Sequence, residues 1–323
     1  MNVRRRLISA AAATAVAGLG IGTLTACGGD SAAAGNTDKF DVVASFYPMA
    51  YLAERIGGSH VNVTSLTAPG QEPHDLEISA RQRGRVEQSD AVLYLKGLQP
   101  AVDEAVGQSE ARTKIDAASL TTLEKHGNEV GGHAAEHDHE HDHEHGEESG
   151  GQDPHIWLDP VRYAEVARGV GAAFAKADPL HAADYRKNTA ALVGELDALD
   201  AEFAAGLKNT KTKVFLTTHA AFGYLAERYG LTEEAINGLD PESEPSAARV
   251  RELEKMAKAD HVSTVFYETL VSDKTARTVA RDAGLRTDVL DPIEGITKKS
   301  RGQDYLQVMR ANLKALQTAL GTK

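Results

Sequence analysis

Short apolar runs and helical stretches alternate along two separate parts of the chain. In the first part, Phe40 to Ala44, Val61 to Leu66 and Ala91 to Leu95 read as strands. Met49 to Ile56, Ser79 to Gln88 and Ala101 to Val106 read as the helices between them. The second part begins with a strand at Lys213 to Thr217. It continues with helices at Ala220 to Tyr229 and Ala247 to Ala259, a strand at Ser263 to Tyr267, a helix at Asp273 to Ala283 and a strand at Thr287 to Leu290. Gln303 to Leu320 reads as a closing helix. Strands that alternate with helices form parallel sheets covered on both faces, so an α/β class with two lobes is expected.

Between the two sets lies Pro179 to Lys208. Asp178-Pro179 has the form of a helix cap followed by proline in the first turn. Leu192, Leu196, Leu199 and Phe203 then fall on one helical face. A helix of about 30 residues is roughly 45 Å long. The expected architecture is therefore two lobes, at 39–178 and 210–323, joined by one long rigid helix over 179–209.

The first 38 residues are of another kind. Arg4, Arg5 and Arg6 precede an uncharged stretch of mostly Ala, Gly and Leu from Leu7 to Ala26. That is the pattern of a secretory signal over 1–26. It ends in Leu24-Thr25-Ala26-Cys27-Gly28, which resembles a bacterial lipobox, and Cys27 is the only cysteine of the chain. Acylation of Cys27 is expected to anchor the protein at the extracytoplasmic face of the cell membrane. Residues 27–38, rich in small and polar types, read as a flexible tether.

Composition narrows the choice further. The chain has 323 residues and a formal net charge of −12, which excludes a nucleic-acid binder with a basic face. A single cysteine excludes a disulfide framework and a CxxC zinc module. Histidine, by contrast, is abundant, with 13 residues. Within 126–152, His133, His137, His139, His141, His143 and His145 interleave with Glu and Asp, without apolar periodicity. This stretch reads as a mobile solvated loop and a weak accessory metal collector. It contains a literal HExxH at His139 to His143. In a metalloprotease that motif requires a helix, whereas an alternating His/acid repeat generates it by chance.

Three further histidines sit in a different context. Gln71-Glu72-Pro73-His74-Asp75, Asp153-Pro154-His155-Ile156-Trp157 and Thr217-Thr218-His219-Ala220 each place one histidine in a turn or at a strand end. A fourth stretch, Val289-Leu290-Asp291-Pro292, offers a carboxylate. In α/β lobes the crevice outside the strand ends is where ligands bind. Three imidazoles and one carboxylate can complete a tetrahedral zinc shell. Taken singly, each of these histidines has a structural role as its commoner explanation, and the wide spacing matches no local zinc module.

These stretches, with Phe222, Tyr224, Tyr229 and Gly230 after His219, Glu244-Pro245-Ser246 and Tyr267-Glu268-Thr269, resemble the cluster A-I metal-binding proteins of ABC transporters, the ZnuA, TroA and AdcA type. The resemblance spans nearly the whole chain after Cys27. It implies two α/β lobes joined by a long helix, with His74 and His155 from the first lobe and His219 and Asp291 from the second holding the metal between them. Manganese-binding relatives tend to carry glutamate where this chain has His219, and imidazole suits zinc better than manganese.

The resulting expectation is a non-enzymatic, monomeric lipoprotein that captures Zn2+ and delivers it to an ABC permease and its ATPase. A manganese receptor of the same family is the alternative within that class. From other classes come a zinc-dependent hydrolase, with Glu72, Glu77 or Glu268 as its base, and a cell-surface adhesin. No GxSxG elbow, Walker A loop or GxGxxG supports a serine or nucleotide site.

Overall fold

The computed structural model describes residues 39–127, 129–130 and 152–322. Cys27 and His133, His137, His139, His141, His143 and His145 lie outside these residues. Among the described residues no helix is long and apolar enough to cross a membrane.

The first sheet is built from β1 (Phe40–Ala44), β2 (Val61–Ser65), β3 (Ala91–Tyr94) and β4 (Thr113–Asp116). Its strands are all parallel, in the order β2-β1-β3-β4. Helices α1 (Tyr47–Gly57), α2 (Ala80–Gln88) and α3 (Pro100–Gln108) make the crossovers. The second sheet contains β5 (Glu129–Val130), β6 (Val214–Thr217), β7 (Thr232–Ala235), β8 (Thr264–Tyr267) and β9 (Arg286–Val289), in the order β5-β7-β6-β8-β9. All its pairings are parallel except that of the two-residue β5 with β7. Between the sheets in sequence come α4 (Pro160–Ala177) and α5 (Ala182–Leu207). Helices α6 (Gly223–Tyr229), α7 (Ala247–Ala259), α8 (Lys274–Ala283) and α9 (Tyr305–Leu320) complete the second half.

The two-residue period of the strands divides the apolar side chains between two faces. Val43 and Val92 turn toward Val86 of α2 and Val102 and Val106 of α3. Leu216 and Val265 turn toward Leu253 of α7 and Val279 of α8. The opposite faces, through Val42, Ala44, Leu93, Phe215 and Phe266, join α1, α4, α5 and α9 in one continuous apolar core. From Lys39 onward the chain is accordingly one compact unit.

The expected linking helix is present but begins later than the proline suggests. Pro179–His181 form a 3-10 turn, and α5 runs on from Ala182 for 26 residues. Asp178 holds this corner, accepting from His181 Nδ1 at 2.6 Å and from Tyr185 Oη at 2.7 Å. Helix α4, which is not among the expected elements, lies along α5 at very close range. A Cβ at Gly171 would stand 2.1 Å from Thr189 Oγ1. Gly171→Ala is therefore expected to lower stability by about 1–3 kcal/mol through overpacking, read as a lower urea midpoint. An unchanged midpoint would show that the two helices can separate without cost.

Two described parts of the 126–152 stretch belong to the fold. His126 is seated against Tyr224, and Glu129–Val130 form the edge strand of the second sheet.

Candidate metal centre

Loops at the carboxyl ends of the parallel strands carry three of the four converging side chains. His74 lies in the turn between β2 and α2, where its backbone N–H donates to Glu72 Oε1 at 3.0 Å. His219 follows β6 directly. The helix expected from Ala220 starts at Gly223, which leaves residues 218–222 to shape the turn around the imidazole. Glu294 follows β9 and Pro292. His155 sits just before the 3-10 turn Ile156–Leu158, whose following residue, Asp159, caps α4 by accepting from Val161 N.

His74, His155, His219 and Glu294 bring four ligand atoms within 4.8 Å of one another. Glu294 Oε1 lies 3.1 Å from His74 Nε2, 3.4 Å from His155 Nε2 and 3.9 Å from His219 Nε2. A tetrahedron with Zn–N bonds of roughly 2.0–2.1 Å has edges of about 3.3–3.4 Å. The three distances from Glu294 Oε1 bracket that edge, and all four donors lie within 4.8 Å of one another. His155, His219 and Glu294 are buried, and His74 is partly so. His155 Nε2, His219 Nε2 and Glu294 Oε2 are buried with no hydrogen-bond partner. Buried polar atoms are normally satisfied. Two unpartnered imidazole nitrogens turned toward one buried carboxylate are the sign of a cation binding place.

Each fully buried imidazole is aimed from behind. His155 Nδ1 pairs with Asp153 Oδ1 at 2.7 Å, and His219 Nδ1 with Glu268 Oε1 at 2.7 Å. A carboxylate behind Nδ1 keeps the proton there and turns Nε2 inward as a donor. Trp157 braces the floor, donating its indole N–H to Pro292 O at 2.6 Å. Burial alone would lower the His155 pKa, but Asp153 and Glu294 outweigh it and push it up to about 10. His219 moves in the same direction, where Glu268 and Glu294 outweigh burial. Burial would raise Glu294, yet His74, His155 and His219 hold it well below the usual carboxylate range.

Asp291, the acid expected among the ligands, does not join this group. Its Oδ1 accepts from Ile293 N at 2.8 Å and its Oδ2 from Thr269 Oγ1 at 3.1 Å. Its backbone is clamped by Asn312 of α9, which accepts from Asp291 N and donates to Asp291 O. Burial pushes the Asp291 carboxyl up to about 6. The residue braces a strained loop: Ile293 has φ of +60°, a left-handed conformation that β-branched residues rarely adopt. That kink presents Glu294, rather than Asp291, to the imidazoles. Glu294 was missed because adjacent acids in one loop are indistinguishable until its backbone direction is known.

Of the three acids considered as catalytic bases, Glu72 and Glu268 are otherwise engaged. Burial and the nearby Glu294 push Glu72 up to about 9, which keeps it protonated at neutral pH. Glu268 orients His219 and also accepts from Thr218 Oγ1 at 2.9 Å. Glu77 is exposed.

Residues 42–319 match the protein family described as zinc-uptake complex component A, periplasmic. The chain is 35% identical over 299 residues to the zinc-binding lipoprotein AdcA of Streptococcus pneumoniae, covering 91% of this chain and 58% of that protein. It thus spans little more than half the length of this relative. It is 34% identical over 309 residues to the high-affinity zinc uptake system protein ZnuA of Bacillus subtilis, covering 93% of this chain and 94% of that one. Among solved structures, the Zn(II)-bound ZnuA-like domain of Streptococcus pneumoniae AdcA matches with a TM-score of 0.71 at 32% identity, over 88% of this chain and 99% of that one. The laminin-binding protein Lmb of Streptococcus agalactiae, described as an adhesin with metal-transporting activity, matches with a TM-score of 0.75 at 28% identity, over 87% and 99% of the two chains.

Proposed function

We propose, since the chain belongs to the zinc-uptake complex component A family, that it captures Zn2+ outside the cytoplasm and passes it to an ABC permease driven by its ATPase. His74, His155, His219 and Glu294 are the proposed ligands. The observation that carries this reading is the convergence of three imidazole Nε2 atoms on one buried carboxylate, at 3.1, 3.4 and 3.9 Å. Three imidazoles and one carboxylate suit zinc, whereas manganese prefers a richer oxygen set. The lipid anchor at Cys27 places the receptor at the extracytoplasmic face of the membrane.

A hydrolase is disfavoured by the same geometry. Catalytic zinc keeps one coordination position for water and needs a free base nearby. Here four protein donors close the shell, Glu72 accepts from His74 N and Glu268 is committed to His219. Carrying the ion, rather than reacting through it, is what a closed site does.

Protons compete directly for the proposed ligands. In the ion-free protein His155 is raised to about 10, so at neutral pH its Nε2 carries a proton that the cation must displace. The folded-state value lies above the working pH, so affinity falls as pH falls, and it does so through the whole neutral range. Calorimetric titration with Zn2+ between pH 8 and pH 6 is expected to show one tight site whose affinity drops about tenfold per pH unit, with proton release in proportion. A pH-independent affinity, or no tight site, would overturn the assignment.

A further inference from the structure

We propose that Glu124, His126 and Glu227 form a second, weaker and solvent-open site for a divalent cation with zinc-like ligand preference. Glu124 and His126 lie on the segment that leads into β5, and Glu227 projects from α6. Their ligand atoms lie within 4.8 Å of one another, and His126 Nε2 stands 3.7 Å from Glu227 Oε2. An imidazole and two carboxylates are donors of the borderline kind that zinc accepts, and three protein ligands leave room for water.

The imidazole is held in place before any ion arrives. Its Nδ1 pairs with Asp153 Oδ2 at 2.7 Å, and its ring stands edge-on to Tyr224 at 4.5 Å. Gly223 provides the space: a Cβ there would come within 2.5 Å of His126 Nδ1. The His126 side chain is only 7% exposed, so little freedom remains to be lost on ligation. Asp153 backs His126 through Oδ2 as it backs His155 through Oδ1. The arrangement that aims an imidazole into the cleft is thus repeated on the far side of the same carboxylate.

Access and strength also differ from the cleft. The Glu227 side chain is 50% exposed, so a hydrated ion reaches it without any opening of the lobes. Arg162 is the competitor, since it pairs with Glu124 and stands 3.8 Å from Glu227 Oε2. A cation must take the place of that guanidinium at both carboxylates, Glu124 and Glu227, which keeps binding weak and exchange fast. Arg162 also donates to Thr122 O and lies over the Tyr224 ring, so it retains these contacts when the two carboxylates turn to the ion.

The test compares the full wild-type chain with Glu227→Gln and with Glu124→Gln/Glu227→Gln, each preloaded with one equivalent of Zn2+ and then titrated with Zn2+ by calorimetry. Any histidines of 131–151 that bind do so equally in all three proteins. The expected result is loss of about one weak equivalent in the variants, with the tight phase unaltered. A weak phase identical in the wild type and the double variant would overturn the proposal. A wild-type chain without a tight phase would instead count against the cleft and leave this comparison standing. In zinc-soaked crystals, anomalous density bounded by His126 and Glu227 is expected, and density confined to the cleft would overturn it.

Discussion

Replacing His219 with alanine is expected to weaken zinc binding by two orders of magnitude or more. Zinc held by four protein donors gains about 10–16 kcal/mol, so each donor accounts for about 2.5–4 kcal/mol. His219 also has little tolerance for replacement by water. It is buried, its Nδ1 is fixed by Glu268, and its Nε2 has no other partner. Its removal leaves Glu268 without the imidazole it orients, with Thr218 Oγ1 still donating to it, so a modest loss of stability accompanies the loss of affinity. Competition against a chromogenic chelator reads the affinity, and circular dichroism reports whether the fold is retained. A folded variant that binds zinc as tightly as the wild type would remove His219 from the ligand set.

The second large effect separates two acids three residues apart. Glu294→Gln preserves shape but removes the anionic donor from a buried cluster of imidazoles, and a loss of affinity of about 10²-fold or more is expected. Asp291→Asn is expected to change affinity by less than about tenfold and to act on stability instead. Its carboxylate is already used by Ile293 N and Thr269 Oγ1, and an amide oxygen can keep only part of that pattern. The same chelator competition, together with urea denaturation, distinguishes the two variants. The reverse order of affinities would make Asp291 the fourth ligand.

The comparison also marks how far the amino-acid pattern reaches. Phe40–Ala44 and Ala247–Ala259 coincide in pattern and structure, because each has a clean period and a clear boundary. Strand β7 was not visible, since its Thr-Glu-Glu-Ala sequence is polar although all four residues are buried. Glu233 there accepts from Thr217 Oγ1 at 2.9 Å and from Phe222 N at 3.2 Å, a pairing that exists only once the sheet has formed. Helix α4 carries a legible signal, with Tyr163, Val166, Val170 and Phe174 recurring at spacings of 3, 4 and 4 on its buried face, although it is not among the expected elements. The three cleft histidines were legible through their turn contexts and the family resemblance. The acid facing them was not, because the positive φ of Ile293 redirects the loop and leaves no mark in composition.

The shared apolar body has a consequence for recombination among relatives. Tyr305 of α9 stacks near Tyr163 of α4 and Tyr51 of α1, and its hydroxyl donates to Trp157 O at 2.5 Å. The last helix in the chain therefore closes the first half of the molecule as much as the second. A chimera that exchanged everything after α5 would import a foreign lid for the donor's own aromatic cluster. The seam for transplantation is three-dimensional, and α9 has to travel with α1 and α4.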